Sequence, residues 1–505
     1  MQSLSTVGVI EGEDADDYLP ILSALAQSCG LNLRRAYPDE GSRLAGFILL
    51  GNSSKVMADR ALKERPSLRV ISSDTPKPAA TVRFGADYNS PTPFRGRSVE
   101  TGSAVPGTPP DGFGDVIATA DGKPVWMTKS EGGVRHDTCW VSRPWLKRGE
   151  CVFDHLNGDR LMNLLPLLEW LRWISDYREW KQPALRACFM FDDPNLHATR
   201  YGFVRFDHLA EEGMRHHYHT SFATIPLDGY YVNQEAARII RENHETLSLL
   251  IHGNNHTYRE LAGRESPVEQ LSSMRQAILR IIAVERKSGV TVSRVMAPPH
   301  GVCSADMMAA MTTVGLEAVC VSHGSVWTGN PGADWAVALG SLPATLIAGL
   351  LVIPRFRLDR NPENNILLAA YLNQPIIPVG HHWDLADGTD ILSSAADFIN
   401  GLAQVSWNDM SSIARSNYRC RVQGHVMRIQ TFSRITAVNV PEGVSELELE
   451  ASWMDPGREH VEYRSSGNGD RSPIQALPSG LFRLCVTPGS RVELVVTRTH
   501  ANGEQ

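Results

Sequence analysis

The sequence predicts an α/β protein in three parts: an open α/β sheet over residues 1–150, a (β/α) barrel over 183–410, and a small antiparallel β domain of sandwich type over 418–500, with a connecting helix within 151–182. Short apolar runs alternate with helix-like stretches through the first two parts, which is the rhythm of α/β folds. Beyond Asn417 the apolar period changes to two, as in Glu446-Leu447-Glu448-Leu449-Glu450, the mark of half-buried strands. At 505 residues the chain also exceeds one ordinary core, so two or three domains are expected.

In the first part, strands are expected at Val7–Ile10, Gly46–Leu50 and Leu68–Ser72, and helical runs at Tyr18–Cys29 and Val56–Lys63. The turn Gly51-Asn52-Ser53-Ser54 can cap a helix or cradle a ligand at its N-terminus, and capping is the simpler role. Residues 74–112 are dense in Pro, Gly, Ser and Thr and read as a long surface excursion, after which Val125-Trp126-Met127 is strand-like. Leu161, Leu164, Leu165, Leu168 and Leu171 recur at helical spacing, and Pro166 either kinks that helix or marks its true start. Trp170 and Trp173 add bulk, so the helix is expected to pack domains. In the second part, Ser266-Pro267-Val268-Glu269 is a capping box opening a helix to about Lys287. Strand-like runs follow at Ser293–Met296, Glu317–Ser322, Leu350–Ile353 and Ile376–Val379.

Composition narrows the function. Hydrophobic content of 42% and charged content of 21% are those of an ordinary soluble protein, and a net charge of −7 without a Lys/Arg cluster argues against a nucleic-acid surface. No apolar span reaches the length of a transmembrane helix and the N-terminus lacks a secretory pattern, so no membrane partner and a cytoplasmic location are expected. Cys29, Cys139, Cys151, Cys188, Cys303, Cys320, Cys420 and Cys485 are scattered without a CxxC pair, and are expected as buried free thiols.

The chemistry concentrates in two stretches. Ala187-Cys188-Phe189-Met190-Phe191 reads as a buried strand of a parallel sheet, and Asp192-Asp193-Pro194 places two carboxylates where it ends and turns. That is the end at which α/β barrels carry their chemistry. His252-Gly253-Asn254-Asn255-His256 adds two imidazoles four residues apart. Two neutral imidazoles and one carboxylate can hold a divalent metal with positions left open, while the second carboxylate stays free beside it. Each signal is weak alone; their order and strand-end contexts give the metal-site expectation its weight. His216, His217 and His219 lie in a pattern leading into an apolar strand and are expected at the core or rim, whereas His197 and His323 near strand ends are candidates for touching substrate.

Two further turns complete a set of ordered motifs, Met296-Ala297-Pro298-Pro299-His300-Gly301 and Val379-Gly380-His381-His382-Trp383-Asp384. With these, residues of about 185–405 resemble the NodB-homology polysaccharide deacetylases, metal-dependent hydrolases on a distorted (β/α) barrel. The resemblance implies that Asp192 is the general base, that Asp193, His252 and His256 bind the metal, that backbone at Pro299 and His300 lines the oxyanion site, and that His381, with His382 as second choice, is the general acid. The first part is similar, weakly, to flavodoxin-like domains related to class I glutamine amidotransferases. It has no Cys nucleophile on a Gly-flanked elbow, so glutaminase activity is not implied.

Departures from the pattern mark a divergent member. Ala297 stands where the family usually has the arginine that orients the catalytic Asp, a role that Arg355 or Arg357 could fill; His300 replaces the usual Tyr, and Asp193-Pro194-Asn195 replaces Asp-Gly-Pro. The expected function is removal of an N-acyl group, acetyl foremost, from an amino sugar, saccharide or related small molecule by one divalent ion. Zinc leads, with cobalt, nickel and iron also suited to nitrogen and oxygen ligands. The alternatives are hydrolysis of another non-peptide C–N bond on the same fold and a non-enzymatic carbohydrate-binding scaffold. The terminal β domain leaves carbohydrate binding and homo-oligomerisation both open.

Overall fold

The computed structural model describes residues 5–10, 15–37, 44–51, 64–73, 80–87, 89–102, 104–108, 114–142, 152–158, 160–322, 340–465, 472–477 and 480–498. The expected helix at 56–63, the turn at 52–54, Cys151 and His323 lie outside them. The chain divides into two compact units: residues 1–180 with 334–342 and 363–372, and residues 181–333 with 343–362 and 373–505. Among the described residues no helix is long and apolar enough to cross a membrane.

The first unit is built on a mixed sheet of nine strands, β1 (Thr6–Ile10), β2 (Asn32–Arg35), β3 (Gly46–Leu50), β4 (Ser67–Ser73), β5 (Ala80–Phe84), β6 (Ser98–Thr101), β7 (Asp115–Ala120), β8 (Lys123–Glu131) and β9 (Val134–Ser142). Their order is β2-β1-β3-β4-β9-β8-β7-β5-β6. Strands β2 to β9 in that order are parallel, and from β9 to β6 every pairing is antiparallel. The antiparallel half corrects the expected surface excursion at 74–112: β5 and β6 lie inside it, and Val82, Phe94 and Val99 are buried. The Pro/Gly-rich composition there serves the turns, while single apolar residues between them do the packing. The leucine-rich run resolves into a 3-10 turn at Leu161–Asn163 and an α-helix at Leu165–Ile174 with Pro166 in its first turn, so the proline marks the start. The helix Glu363–Leu372, although within the barrel's stretch of sequence, belongs to this unit, where Arg172 lies between the rings of Tyr177 and Tyr371 and donates to the Tyr371 carbonyl at 2.8 Å.

In the second unit β10 (Leu185–Ala187) precedes β11 (Phe189–Asp192), a hairpin of β12 (Arg200–Tyr201) and β13 (Val204–Arg205), β14 (Thr220–Thr224), β15 (Leu247–His252), β16 (Val292–Ala297), β17 (Ala318–Ser322), β18 (Thr345–Ile347), β19 (Leu350–Arg357) and β20 (Pro378–Gly380). Seven of these, β17-β16-β15-β14-β11-β20-β19, are parallel neighbours, and β19 pairs back onto β17 to close a barrel. A seven-stranded parallel barrel fits the expected distorted (β/α) barrel. The helix Pro267–Ser288 begins as expected: the Ser266 hydroxyl accepts from the Glu269 N–H and the Glu269 carboxylate accepts from the Ser266 N–H, while Gly289 ends it in a left-handed conformation. His216 and His217 end the helix Phe206–His216 rather than opening a strand, and His219 is buried, bonded to Glu245 and Ser248.

After β21 (Val405–Trp407), which pairs with β10, the chain forms two sheets: β22 (Tyr418–Gln423), β23 (Val426–Thr431), β25 (Glu446–Glu450), β28 (Gln475–Ala476) and β29 (Phe482–Cys485) in one, and β24 (Ile435–Asn439), β26 (Glu459–Ser465), β27 (Ser472–Pro473) and β30 (Arg491–Arg498) in the other. Both contribute to one apolar cluster that includes Ile429, Val438, Leu447, Val461 and Leu494. One pairing departs from the all-antiparallel expectation, because β23 and β25 run parallel and the chain between them crosses to the other sheet as β24. Six of the described cysteines are buried as expected, whereas Cys485 is exposed.

This β region is tied into the same unit by buried polar groups. Arg415 bridges Glu317 beside β17 and Glu493 on β30, and buried Arg186 donates to the Asn373 carbonyl and to Asn417 Oδ1 at 3.0 Å. Asn417 is fully buried and its amide also donates to the carbonyls of Ile413 and Ala414. Asn417→Ala therefore removes one acceptor of a buried guanidinium and two bonds to backbone carbonyls, and is expected to lower stability by on the order of 1–3 kcal/mol, read as an earlier midpoint in urea unfolding.

Candidate functional site

The site forms where β11, β15, β16, β19 and β20 end. Asp192 closes β11, and the next residue leaves the strand at φ 83°, a left-handed bend that Asp tolerates better than most residues. The bend sends two consecutive carboxylates to different partners. Asp192 is buried and receives a two-pronged ion pair from Arg355 of β19, Nη1 to Oδ1 at 2.8 Å and Nη2 to Oδ2 at 2.9 Å. Burial pushes this carboxyl up, but the Arg355 charge, followed by His252 and His381, outweighs it and holds the pKa below the usual carboxylate value. Of the two arginines named as candidates, Arg355 is the one that pairs with Asp192, whereas Arg357 is exposed at the end of β19.

Asp193 faces the two histidines instead. Its Oδ1 lies 3.3 Å from His252 Nε2 and 3.1 Å from His256 Nε2, and it is buried without a hydrogen bond of proper geometry. One ligand atom from each of Asp193, His252 and His256 falls within 4.8 Å of the others. Burial raises the Asp193 pKa and the two imidazoles lower it further than burial raises it. A buried, orphaned carboxylate oxygen against two imidazole nitrogens is the donor set for one divalent cation, so the residues present fit the expected metal.

The His252 ring is fixed from behind, and the backbone that carries His256 is held by its loop. His252 Nδ1 lies 2.8 Å from the carbonyl of Ala297, which can only accept, so Nδ1 carries a proton and Nε2 is the nitrogen turned to the site, with a lone pair there in the neutral ring. His256 sits at φ 58°, on a loop that wraps the Glu260 carboxylate; Glu260 accepts from the N–H groups of Asn254 at 2.8 Å, Asn255 at 3.0 Å and His256 at 3.1 Å. Gly253, at φ 62°, is required because a Cβ there would run into Glu260 Oε1 and Pro299. The helix Pro267–Ser288 holds the loop from outside, through Asn254 to Gln276 at 2.9 Å and Arg280 to Asn255 Oδ1 at 2.7 Å.

The remaining expected residues divide. His300, at φ 57°, sets its ring edge-on to His256 at 5.3 Å, and burial, then His256 and His252, lower its pKa, keeping it neutral. Pro299 packs behind Gly253. His381, exposed beyond β20, lies near enough to Asp192 and Asp193 to lower the pKa of both, and its N–H donates to Asp384 at 2.8 Å. His382 turns away to the β12–β13 hairpin, with its ring against Tyr201, Phe203 and Trp383. His197 bonds the Asp228 carbonyl at 2.8 Å. The sequence did not reveal Glu260 or Tyr201. Glu260 is one acid among many polar residues, and its only signal is its place four residues after His256. The Tyr201 phenol is pushed up by burial and then by Asp193 and Asp228, so it stays protonated beside the site.

No protein-family model and no curated protein matches the chain. Among solved structures it is similar to a polysaccharide deacetylase from Mycobacterium smegmatis (14% identity, 47% of this chain and 91% of that one, TM-score 0.33), and to a family 4 carbohydrate esterase from Streptomyces lividans (11%, 44% and 88%, 0.26). It is also similar to a pseudoenzyme of the same esterase family from Bacillus anthracis (13%, 48% and 68%, 0.28). Likenesses at this level carry no weight for the chemistry, which rests on the side chains described above.

Arg355→Met removes one member of a buried pair and is expected to cost about 3–5 kcal/mol in unfolding, because it leaves Asp192 charged and unpaired. Adding Asp192→Asn to that variant should recover part of the loss in the same unfolding measurement.

Proposed function

We propose that the chain is a metal-dependent hydrolase that removes an N-acyl group, acetyl foremost, from an amino sugar, saccharide or related small molecule. The observation that carries this reading is the division of labour between adjacent carboxylates: Arg355 keeps Asp192 away from the histidines, and Asp193 is given to them. Asp193, His252 and His256 would hold the ion, zinc foremost, with cobalt, nickel or iron as substitutes. When bound, it would supply Lewis acidity that polarises the amide carbonyl and makes water more acidic beside it.

The other residues have the chemistry that an amide cleavage needs. Asp192 is ionised and fixed in place, so it can take one proton from water as the oxygen attacks the carbonyl carbon. His381, exposed beside the site, would protonate the nitrogen as the C–N bond breaks, giving an amine and a carboxylic acid. Neutral His300 completes the wall beside His256 and adds no charge of its own.

The test is to measure acid and amine release together from a panel of N-acetylated saccharides with the zinc-loaded chain. Asp192→Asn and His381→Ala are each expected to lose about 10²- to 10⁴-fold in turnover while retaining metal. No release by metal-loaded wild type, or unchanged turnover in Asp192→Asn, would overturn the reading.

A further inference from the structure

Strands β15 and β16 are paired out of simple register. Leu250 lies opposite Ser293 but Ile251 lies opposite Met296, so two residues of β16 are passed over between them. Irregularities of this kind re-aim side chains. Here the shift sets Met296 and Ala297 against Ile251 and His252, where β15 ends and the loop carrying His256 begins. The ladder then gives way to side-chain bonds. The Ala297 carbonyl accepts from His252 Nδ1, and the buried N–H of Gly253 donates to the Met296 thioether, N to Sδ at 3.1 Å.

Packing alone does not call for that sulfur. Met296 is fully buried, and a leucine or isoleucine would fill much the same volume. What neither supplies is an acceptor, and a buried backbone N–H left without one costs as much as a lost hydrogen bond. A thioether is a weak acceptor on an unbranched, adaptable stem, so it can reach a donor that the shifted ladder no longer serves. Gly253 is also where the loop turns, at φ 62°. The four successive N–H groups from Gly253 to His256 are thus all held, the first by sulfur and the other three by the Glu260 carboxylate. His252 precedes that run and His256 closes it, and their Nε2 atoms lie 3.3 and 3.1 Å from the same Asp193 oxygen.

Resting on the metal-dependent reading above, we propose that Met296 is a positioning residue for the metal. Its sulfur, through the Gly253 N–H, sets how the loop leaves β15 and so the spacing of His252 and His256 across the cation. Met190 provides the comparison. It is equally buried, and its sulfur lies 3.1 Å from Arg355 Nη1, so it touches the Asp192 ion pair and not the loop.

The test is the zinc affinity of the full chain, by competition with a chromophoric chelator, with urea unfolding of the metal-free samples and amine release from N-acetylated saccharides recorded alongside. Met296→Leu is expected to bind zinc about tenfold more weakly than wild type, Met190→Leu to bind as wild type does, and Met296→Gln, which returns an acceptor, to recover most of the loss. The glutamine variant also carries the test if Met296→Leu does not fold: near-wild-type affinity is expected of it, and a loss of about tenfold would overturn the proposal. Unchanged zinc affinity in Met296→Leu, with only an earlier urea midpoint, would make Met296 a packing residue and overturn it. Equal weakening in both leucine variants would do the same, as the mark of a loosened barrel interior. Zinc binding weakened in Met296→Leu alone, without amine release from any sample, would keep the positioning role and remove the hydrolase reading. A wild type that binds no zinc would overturn both.

Discussion

The site depends on one bend. Two neighbouring carboxylates would repel each other and compete for the same partners if both pointed one way, and the left-handed turn at Asp193 separates them. Asp192 stays in the barrel wall, where a buried charge is tolerable only because Arg355 meets both of its oxygens. Asp193 swings out to the imidazoles. The pair on β11 and β19 and the histidines at the end of β15 come from strands that are not consecutive in the chain, and the sheet order β15-β14-β11-β20-β19 brings their ends together.

Around that bend the backbone is held against its preferences. His256 and His300 also sit at positive φ, and such positions persist when the surroundings over-determine them. Here the surroundings are visible: the Glu260 carboxylate gathers three successive N–H groups, the Ala297 carbonyl fixes the His252 tautomer, and the Pro267–Ser288 helix braces the loop through Asn254 and Asn255. The His252 ring and the His256 backbone are therefore held before any cation arrives, which lowers the cost of binding one.

Local signals in the sequence translated directly into structure. The Ser266–Glu269 capping box, the buried barrel strands and the start of the helix at Pro166 depend on neighbours a few residues away, and all were legible. Arg355 was legible as one of two candidates, because the vacant role at Ala297 posed the question and geometry chose between them. Long-range pairings were not. Strands β5 and β6 hide in a Pro/Gly-rich stretch whose apolar residues are single, and β23 pairs parallel with β25 only because β24 crosses to the other sheet. The rings of Phe203, His382 and Trp383 meet from positions about 180 residues apart in the chain, so no window along the sequence contains them.

The most direct measurement of the central claim is zinc stoichiometry by elemental analysis after dialysis, on wild type, Asp193→Ala and Asp192→Asn. The division between the carboxylates predicts one zinc per chain in wild type and in Asp192→Asn, and none in Asp193→Ala. Zinc retained in Asp193→Ala but lost in Asp192→Asn would contradict it, because the two carboxylates would then hold the opposite roles.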